Sequence, residues 1–508
     1  MKTGKRGKFG GCLLAACLAT MLPGGAAFAQ APAQAPVFTH ADVVAEARVL
    51  AASPFIAPPR APEGLRRLDY NAYKQIRFRK ERAIWGRTPS RFSIELFAPG
   101  FLYTQGIDIF IVENGRVVPT RIDADAFDAP SDEVRQMLAA LGKFAGFRLH
   151  YPLNRPDYKD EFVVFQGASY FKAVSKGQIY GLSARGLAID VAEPAGEEFP
   201  VFRRFWIERP SSRTENIVVH ALLDSKRVAG AFRFGIYPGT ATAMDVKMTL
   251  FARQPVNHVG IGALTSMYFY GDIDGPDRPD IRPAVHDSLG LAMHSGRGER
   301  IWRPLSNPTK LQISAFVDEN PRGFGLIQRV RRFSKFEDLH AQYHIHPSAW
   351  VAPEGDWGKG HVVLVEIPTR SEGNDNIVAY WRPEKGLKPG EPFTISYMLS
   401  WPNDAPASPG IAPVARAAYG FGPSGNQRQI VVDYGPMPGI PAASITVERG
   451  LGGGKFLGTT VEPIPATGGR RVIFGFDPGD AQMNEIRIQP RFQDKPAGET
   501  MLFRWTRR

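Results

Sequence analysis

Short runs of alternating or β-branched apolar residues, at 162–165, 217–222, 246–251, 361–367 and 377–381, recur between Gly, Pro, Asp and Asn punctuation along this chain. Such runs follow the period of a pleated strand, whose successive side chains point to opposite faces. With 52 glycines and 43 prolines in 508 residues, the connections are long and numerous. The expected fold is all-β and mainly antiparallel, in large sandwiches whose loops carry the binding residues. Helical periodicity is confined to 41–52, preceded by Thr39 as a cap, and to 336–343.

The charged, Pro- and Gly-rich segment 385–392 lacks periodicity and predicts a linker between a domain spanning 30–384 and one spanning 393–508. In the second part, short strands are expected at 393–399, 429–433, 443–448, 471–476 and 485–491. That rhythm, over roughly 115 residues, fits an immunoglobulin-like sandwich.

At the N-terminus, Lys2, Lys5, Arg6 and Lys8 precede a short apolar run at 12–22 and then Ala27-Phe28-Ala29. This pattern predicts a secretory signal peptide over 1–29. Leu14-Ala15-Ala16-Cys17 resembles a lipobox, which leaves lipid anchoring at Cys17 as a minor alternative. Both cysteines, Cys12 and Cys17, lie inside the signal, so the mature chain carries no thiol. Disulfides, cysteine nucleophiles and zinc–thiolate sites are thereby excluded. Removing the four basic signal residues takes the net charge from +12 to 12 − 4 = +8. The basic residues are scattered, with no long block, and an exported chain of this kind is not a nucleic-acid binder.

Three motifs carry less than they promise. Gly450-Leu451-Gly452-Gly453-Gly454-Lys455 imitates a phosphate loop, but Arg449 and Phe456 occupy the flanking positions where that loop needs Gly and Ser/Thr, so a hairpin turn is expected. Ser288 in Asp287-Ser288-Leu289 lacks the glycine a nucleophile needs before it, since His286 stands there. His340, His344 and His346 find no acidic partner at a metal-ligand spacing, so no metal is expected.

Carboxylates beside aromatics are the stronger signal. Cleaving a glycosidic bond takes one carboxyl to protonate the leaving oxygen and another to activate water, while sugar rings stack on aromatic faces. The loop between the runs 361–367 and 377–381 holds Glu372 and Asp375. Asp287 lies upstream of Glu299, Trp302 and Arg303, and Asp356 follows Trp350 and adjoins Trp357. Spacing alone does not choose among these carboxylates.

An ordered set of segments does more. They are Phe-Ala-Gly-Phe-Arg-Leu-His-Tyr-Pro-Leu-Asn at 144–154, Gly-Ala-Ser-Tyr-Phe at 167–171, Gly-Leu-Ser-Ala-Arg-Gly-Leu at 181–187, Gly-Glu-Glu-Phe-Pro at 196–200, Leu-Thr-Ser-Met at 264–267, Arg-Pro-Leu at 303–305, Asn-Pro-Arg-Gly-Phe-Gly-Leu at 320–326 and Asp-Asn-Ile-Val at 375–378. Together they resemble the osmoregulated periplasmic glucan biosynthesis proteins of the G and D types, from about residue 41 to 381 and more thinly to the end. The resemblance implies a galactose-mutarotase-like N-terminal sandwich, a C-terminal immunoglobulin-like domain, a periplasmic location and linear β-1,2-glucan as substrate. It implies an anomer-inverting endo-β-1,2-glucanase, or alternatively an inverting transglycosylase that cyclises or branches the glucan, or a non-catalytic scaffold for an inner-membrane glucan synthase. No cofactor is implied.

Carried over by motif, Asp375 is the general acid, Asp287 lies on the base side and Glu372 supports them from the acid's own loop. Tyr343 matches a family tyrosine near the groove, and Trp302, Arg303, His346, Trp350, Trp357 and Trp381 are candidates for contact with the sugars. Leu289, Arg300, Val330, His346 and Ala352 depart from the family pattern, which otherwise reads Asp, an acidic–aromatic pair, Asp, Arg and Glu at or beside those places. Two of them, His346 and Ala352, are expected near the groove.

Overall fold

A computed structural model of the chain describes residues 37–507 apart from 122, 124, 278 and 424. The expected signal peptide, its Cys17 alternative and the tail up to residue 36 lie outside the described residues. Thr39 caps the helix His40–Ala51 as expected, with Asp42 closing the reciprocal capping bond. This helix lays Val43 and Ala47 on the outer face of the larger sheet, against Trp206, Leu222 and Phe251.

Two large sheets face one another. One has ten strands, and from Val259–Ser266 it runs outward through Ile377–Pro383 and Lys359–Glu366 to the edge strand Gln312–Glu319. The other has fifteen strands, built largely by antiparallel pairing from Val201–Glu208 through Ile217–Asp224, Val228–Tyr237 and Thr242–Ala252 to Phe393–Trp401 and Ala349–Glu354. Burial alternates along the strands, as in Gly146–Arg155, where the inward set includes Phe147, Leu149 and Tyr151. Phe147 meets Phe205 across the interface with ring centroids 5.0 Å apart, and Phe165 meets Phe234 at 5.3 Å. These aromatic contacts knit the two inner faces into one apolar core.

The strand expected to open the second domain does something else. Phe393–Trp401 is hydrogen-bonded between Thr242–Ala252 and Ala349–Glu354, inside the large sheet. The segment 385–392 is tied down too, because Leu387 is buried and exchanges both backbone hydrogen bonds with Val256. Its polar, proline-rich composition reflects an exposed return to the sheet rather than a free connection. After Trp401, Val414–Phe421, Arg428–Tyr434, Gly469–Asp477 and Lys455–Ile464 form a four-stranded sheet. Thr446–Leu451, Met483–Phe492 and Thr500–Thr506 pair as a second group, joined to the large sheet by the parallel partners Ile301–Thr500 and Trp302–Met501.

Three local expectations need correction. Residues 336–343 hold no α-helix; single 3₁₀ turns at Phe333–Lys335 and Tyr343–Ile345 flank an irregular stretch in which Gln342 takes φ 53°. A further helix, Asp132–Leu141, lies outside the expected helical stretches, and its signals are plain: Ser131 accepts from the Val134 N–H and Gly142 ends it in the left-handed region. The glycines at 452–454 do not turn a hairpin, because the strands on either side, Thr446–Leu451 and Lys455–Ile464, belong to different sheets. Gly454 is required there, since it sits at φ 79° and a Cβ would lie 2.3 Å from the Asp477 carbonyl oxygen.

Candidate functional site

The loop 367–376 joins Lys359–Glu366 to Ile377–Pro383 within the ten-stranded sheet. Its last residue, Asn376, is buried and bonds in two directions: its Oδ1 accepts from the Tyr268 N–H at 2.8 Å, and its Nδ2 donates to the Ile367 carbonyl at 3.0 Å. Tyr268 belongs to a short ribbon in which it pairs with His286, and the Asp287 N–H donates to the Met267 carbonyl at 2.9 Å. One asparagine thus fixes the Asp375 loop to the ribbon that leads into Asp287. Two residues 375 − 287 = 88 positions apart are brought to one place.

They sit in different environments. Asp375 is exposed. The protein around it nevertheless pushes its carboxyl above the usual range by desolvation; Lys172 opposes this, the negative charge of Asp287 adds to it, and Arg185 opposes it again. Asp287 is buried, and its Oδ1 lies 2.8 Å from His346 Nδ1. The far ring nitrogen, His346 Nε2, donates to the Ala341 carbonyl at 2.8 Å. Gly181 packs against this histidine so tightly that a Cβ would lie 2.8 Å from its Nδ1. His286, next to Asp287, is fully enclosed, and burial drives it down to about 4, which keeps it neutral near pH 7.

Tyr343 packs edge-on against His346, with centroids 5.2 Å apart. Its hydroxyl is pushed up by burial first and then by the charges of Glu372 and Asp287, so it remains a proton-bearing donor facing both carboxylates. Glu372 is half exposed and bonds Arg282 at 2.7 Å; Arg282 also holds Asp280 and Asp338 at 2.9 and 3.0 Å. The glutamate therefore clamps the loop and is not the group beside the Asp287 pair.

Several neighbours were not assigned from the sequence. Lys172 donates to the Gly181 carbonyl at 2.8 Å, Arg185 donates to Thr265 Oγ1 at 2.7 Å and ion-pairs with Glu197, and the Tyr170 ring lies 4.8 Å from the Arg185 guanidinium. All four belong to the segments at 167–171, 181–187 and 196–200 or adjoin them, which was the available signal.

The expected sugar-stacking residues are elsewhere. Trp302, Trp350, Trp357 and Trp381 are all buried in the core, with Trp302 wedged over Gly290, Trp350 over Gly323, and Trp357 donating to the Ser396 carbonyl. Arg303 is 1 % exposed and pairs with the fully buried Glu366 at 3.2 Å. None of these five side chains offers a face to a polymer. Ser288 is likewise enclosed and bonded to Ser266. The three histidines do not share a helix face: His340 is exposed, and His346 turns inward to Asp287. Among the departures from the family pattern, Val330 packs beside the small cluster of Met267, Tyr270, Phe336 and Tyr343, while Leu289 and Ala352 pack on the main core.

This arrangement offers two carboxyls facing one surface, one desolvated and open, the other buried beside a proton-bearing imidazole.

Comparison with known proteins gives the family. Residues 38–505 match the family described as "Periplasmic glucan biosynthesis protein, MdoG". The chain is similar to "Glucans biosynthesis protein G 2" of Shewanella oneidensis, 50% identical over 468 residues covering 92% of this chain and 88% of that protein. It is similar to "Glucans biosynthesis protein G" of Rhodopseudomonas palustris at 44% over 481 residues, 94% of this chain and 95% of that one. The protein of the same name from Vibrio cholerae is 44% identical over 475 residues, 92% and 87% of the two chains. Among the described residues no helix is long and apolar enough to cross a membrane.

Proposed function

Because the chain belongs to the periplasmic glucan biosynthesis protein family, we propose that it acts in the periplasm on linear β-1,2-glucan as an anomer-inverting glycoside hydrolase. Asp375 gives its proton to the leaving glycosidic oxygen as the bond from the anomeric carbon breaks. Water attacks the opposite face of that carbon and its proton passes to the Asp287 side, so a β-linkage yields an α-anomer. Tyr343 feels the charges of Glu372 and Asp287, and Lys172 and Arg185 act on the acid's side of the surface.

The observation that carries this reading is the contrast between the two aspartates: Asp375 is open to a polymer yet raised, while Asp287 is buried and paired. A carboxyl whose proton affinity is raised above the usual range suits a general acid. The linkage type follows from the resemblance in motifs.

The test is to incubate the purified mature protein and its Asp375→Asn variant with linear β-1,2-glucan and to analyse products by mass and reducing ends. Wild type releases short oligosaccharides, and the variant is slower by about 10²–10⁴-fold, the usual share of a general acid. Ring or branched products without new reducing ends would replace hydrolysis by transglycosylation. Binding without turnover in both samples would leave a glucan-holding partner of a membrane synthase.

A further inference from the structure

His346 is placed to do more than line the surface. Its Nε2 faces a backbone carbonyl, which only accepts, so Nε2 carries a hydrogen. Its Nδ1 faces a carboxylate oxygen at 2.8 Å, and two lone pairs do not meet at that distance without a proton between them. With Asp287 ionised, as a base must be, His346 is therefore the imidazolium.

The surroundings lock this geometry. The ring is buried, Gly181 closes one side of it and Tyr343 packs edge-on against it. Arg331 holds the backbone in place through the His346 carbonyl and lies 3.4 Å from the His344 carbonyl. The charged and titratable groups around the pair are Asp287 itself, Asp375 within reach of its charge, the Arg331 guanidinium, the Tyr343 hydroxyl and the enclosed His286, with the Arg282–Glu372 pair beyond Tyr343.

We infer that His346 is a positioning residue for Asp287: a doubly protonated histidine, anchored on the Ala341 carbonyl, that holds the Asp287 carboxylate ionised and fixes which of its oxygens is free to receive the proton of the attacking group. The inference rests on the reading of Asp287 as the base side. Its chemistry is charge pairing in a dry pocket, where a bond to an ionised partner is about twice as strong as a neutral one. The pair keeps Oδ1 occupied and leaves Oδ2 for the reaction.

Two arms test it, on the full mature protein. Selective ¹⁵N labelling of the histidine rings, with His346→Gln identifying the signal, reports the protonation of each ring nitrogen at pH 7 without any substrate. The expected result is that both nitrogens of His346 carry hydrogen in wild type and only Nε2 does in Asp287→Asn. A His346 with one protonated nitrogen in wild type, or one unchanged in Asp287→Asn, overturns the inference. In the kinetic arm, His346→Phe lowers kcat on linear β-1,2-glucan at least tenfold with KM within twofold, and His346→Gln, which keeps an N–H toward Asp287, recovers most of the loss. Equal loss in both variants, or a change in KM alone, also overturns it. Full activity in Asp287→Asn would instead sink the base assignment, whatever the spectra show, so the two failures are distinguishable.

Discussion

Replacing Arg303 by methionine removes one half of an enclosed ion pair. Glu366 is fully buried and receives the Arg303 guanidinium at 3.2 Å, the Ser306 N–H at 2.8 Å and the Ser306 hydroxyl at 2.9 Å. Without Arg303 the two serine donors remain, but the carboxylate keeps a charge with no cation and no water. Stranding a buried charge costs about 3–5 kcal/mol. Residues 38–508 form one compact unit, and about 2.1 cal/mol/K of unfolding entropy per residue over about 470 residues makes about 1 kcal/mol/K. The expected fall in Tm is therefore about 3–5 °C, read by calorimetry. Removing the second charge as well, in Arg303→Met/Glu366→Gln, should restore most of it, because the neutral amide still accepts from Ser306. Glucan affinity, measured by titration calorimetry on the folded variant, should stay within twofold. An unchanged Tm with glucan binding weakened tenfold would refute this reasoning and return Arg303 to the surface that holds sugar.

Gly181→Ala drives a methyl to within 2.8 Å of His346 Nδ1 and 3.0 Å of its Cβ. Overpacking there should cost about 1–3 kcal/mol and lower kcat at least tenfold by tilting the ring off Asp287; unaltered kinetics would count against the histidine's role. Glu372→Gln loosens the clamp to Arg282, and since the glutamate is 43% exposed the stability change should be below about 1 kcal/mol. Its effect should show as a severalfold loss of kcat/KM, whereas a large Tm shift would contradict a loop-positioning role. His40 is held down from 6.5 to about 4, first by burial and then by His220, Lys247 and Arg233. The folded state therefore binds fewer protons, so docking of His40–Ala51 is at full strength above pH 6.5 and is lost as pH falls through about 4. Hydrogen exchange over that helix should speed up in this window, and His40→Gln should flatten the response; protection that is flat with pH in wild type would refute it.

The sequence reading succeeds where local pattern and burial coincide. Apolar runs such as 217–222 and 377–381 lie within strands Ile217–Asp224 and Ile377–Pro383 because those strands are buried on both faces. The boundary at 385–392 misleads because composition records exposure, and it is exposed, whereas the pairing of Phe393–Trp401 with Thr242–Ala252 is a contact between residues some 150 positions apart that no local pattern encodes. The tryptophans fail for a related reason. A large ring serves a sugar face or a core equally well, and only the glycines at 290 and 323, under Trp302 and Trp350, hint that these rings lie flat on neighbouring strands. Motif resemblance reaches Asp287, Asp375 and Glu372, but it carries no partner for Asp287, because His346 stands where the family pattern has arginine.

Two residues of one type are thus given different surroundings by the backbone, which is what the proposed acid and base roles require. The Asp375 loop is held at its ends, through Asn376 on one side and the mutual bonds of Thr369 and Asn307 on the other, and between them by Glu372 on Arg282. Its carboxyl projects between these anchors, and what it meets is dense protein, the charge of Asp287 and two cations that only partly offset them. Asp287 follows directly from a paired strand and cannot project, so it must satisfy its charge inside the protein, and a histidine fixed on a carbonyl supplies that charge. The acid therefore depends on its neighbour: the charge of Asp287 helps hold the proton on Asp375. Because the coupling acts through charge, the Asp287→Asn substitution should lower the Asp375 carboxyl as well as remove the base, and a pH profile that loses its acidic and basic limbs together is what such a coupled pair produces.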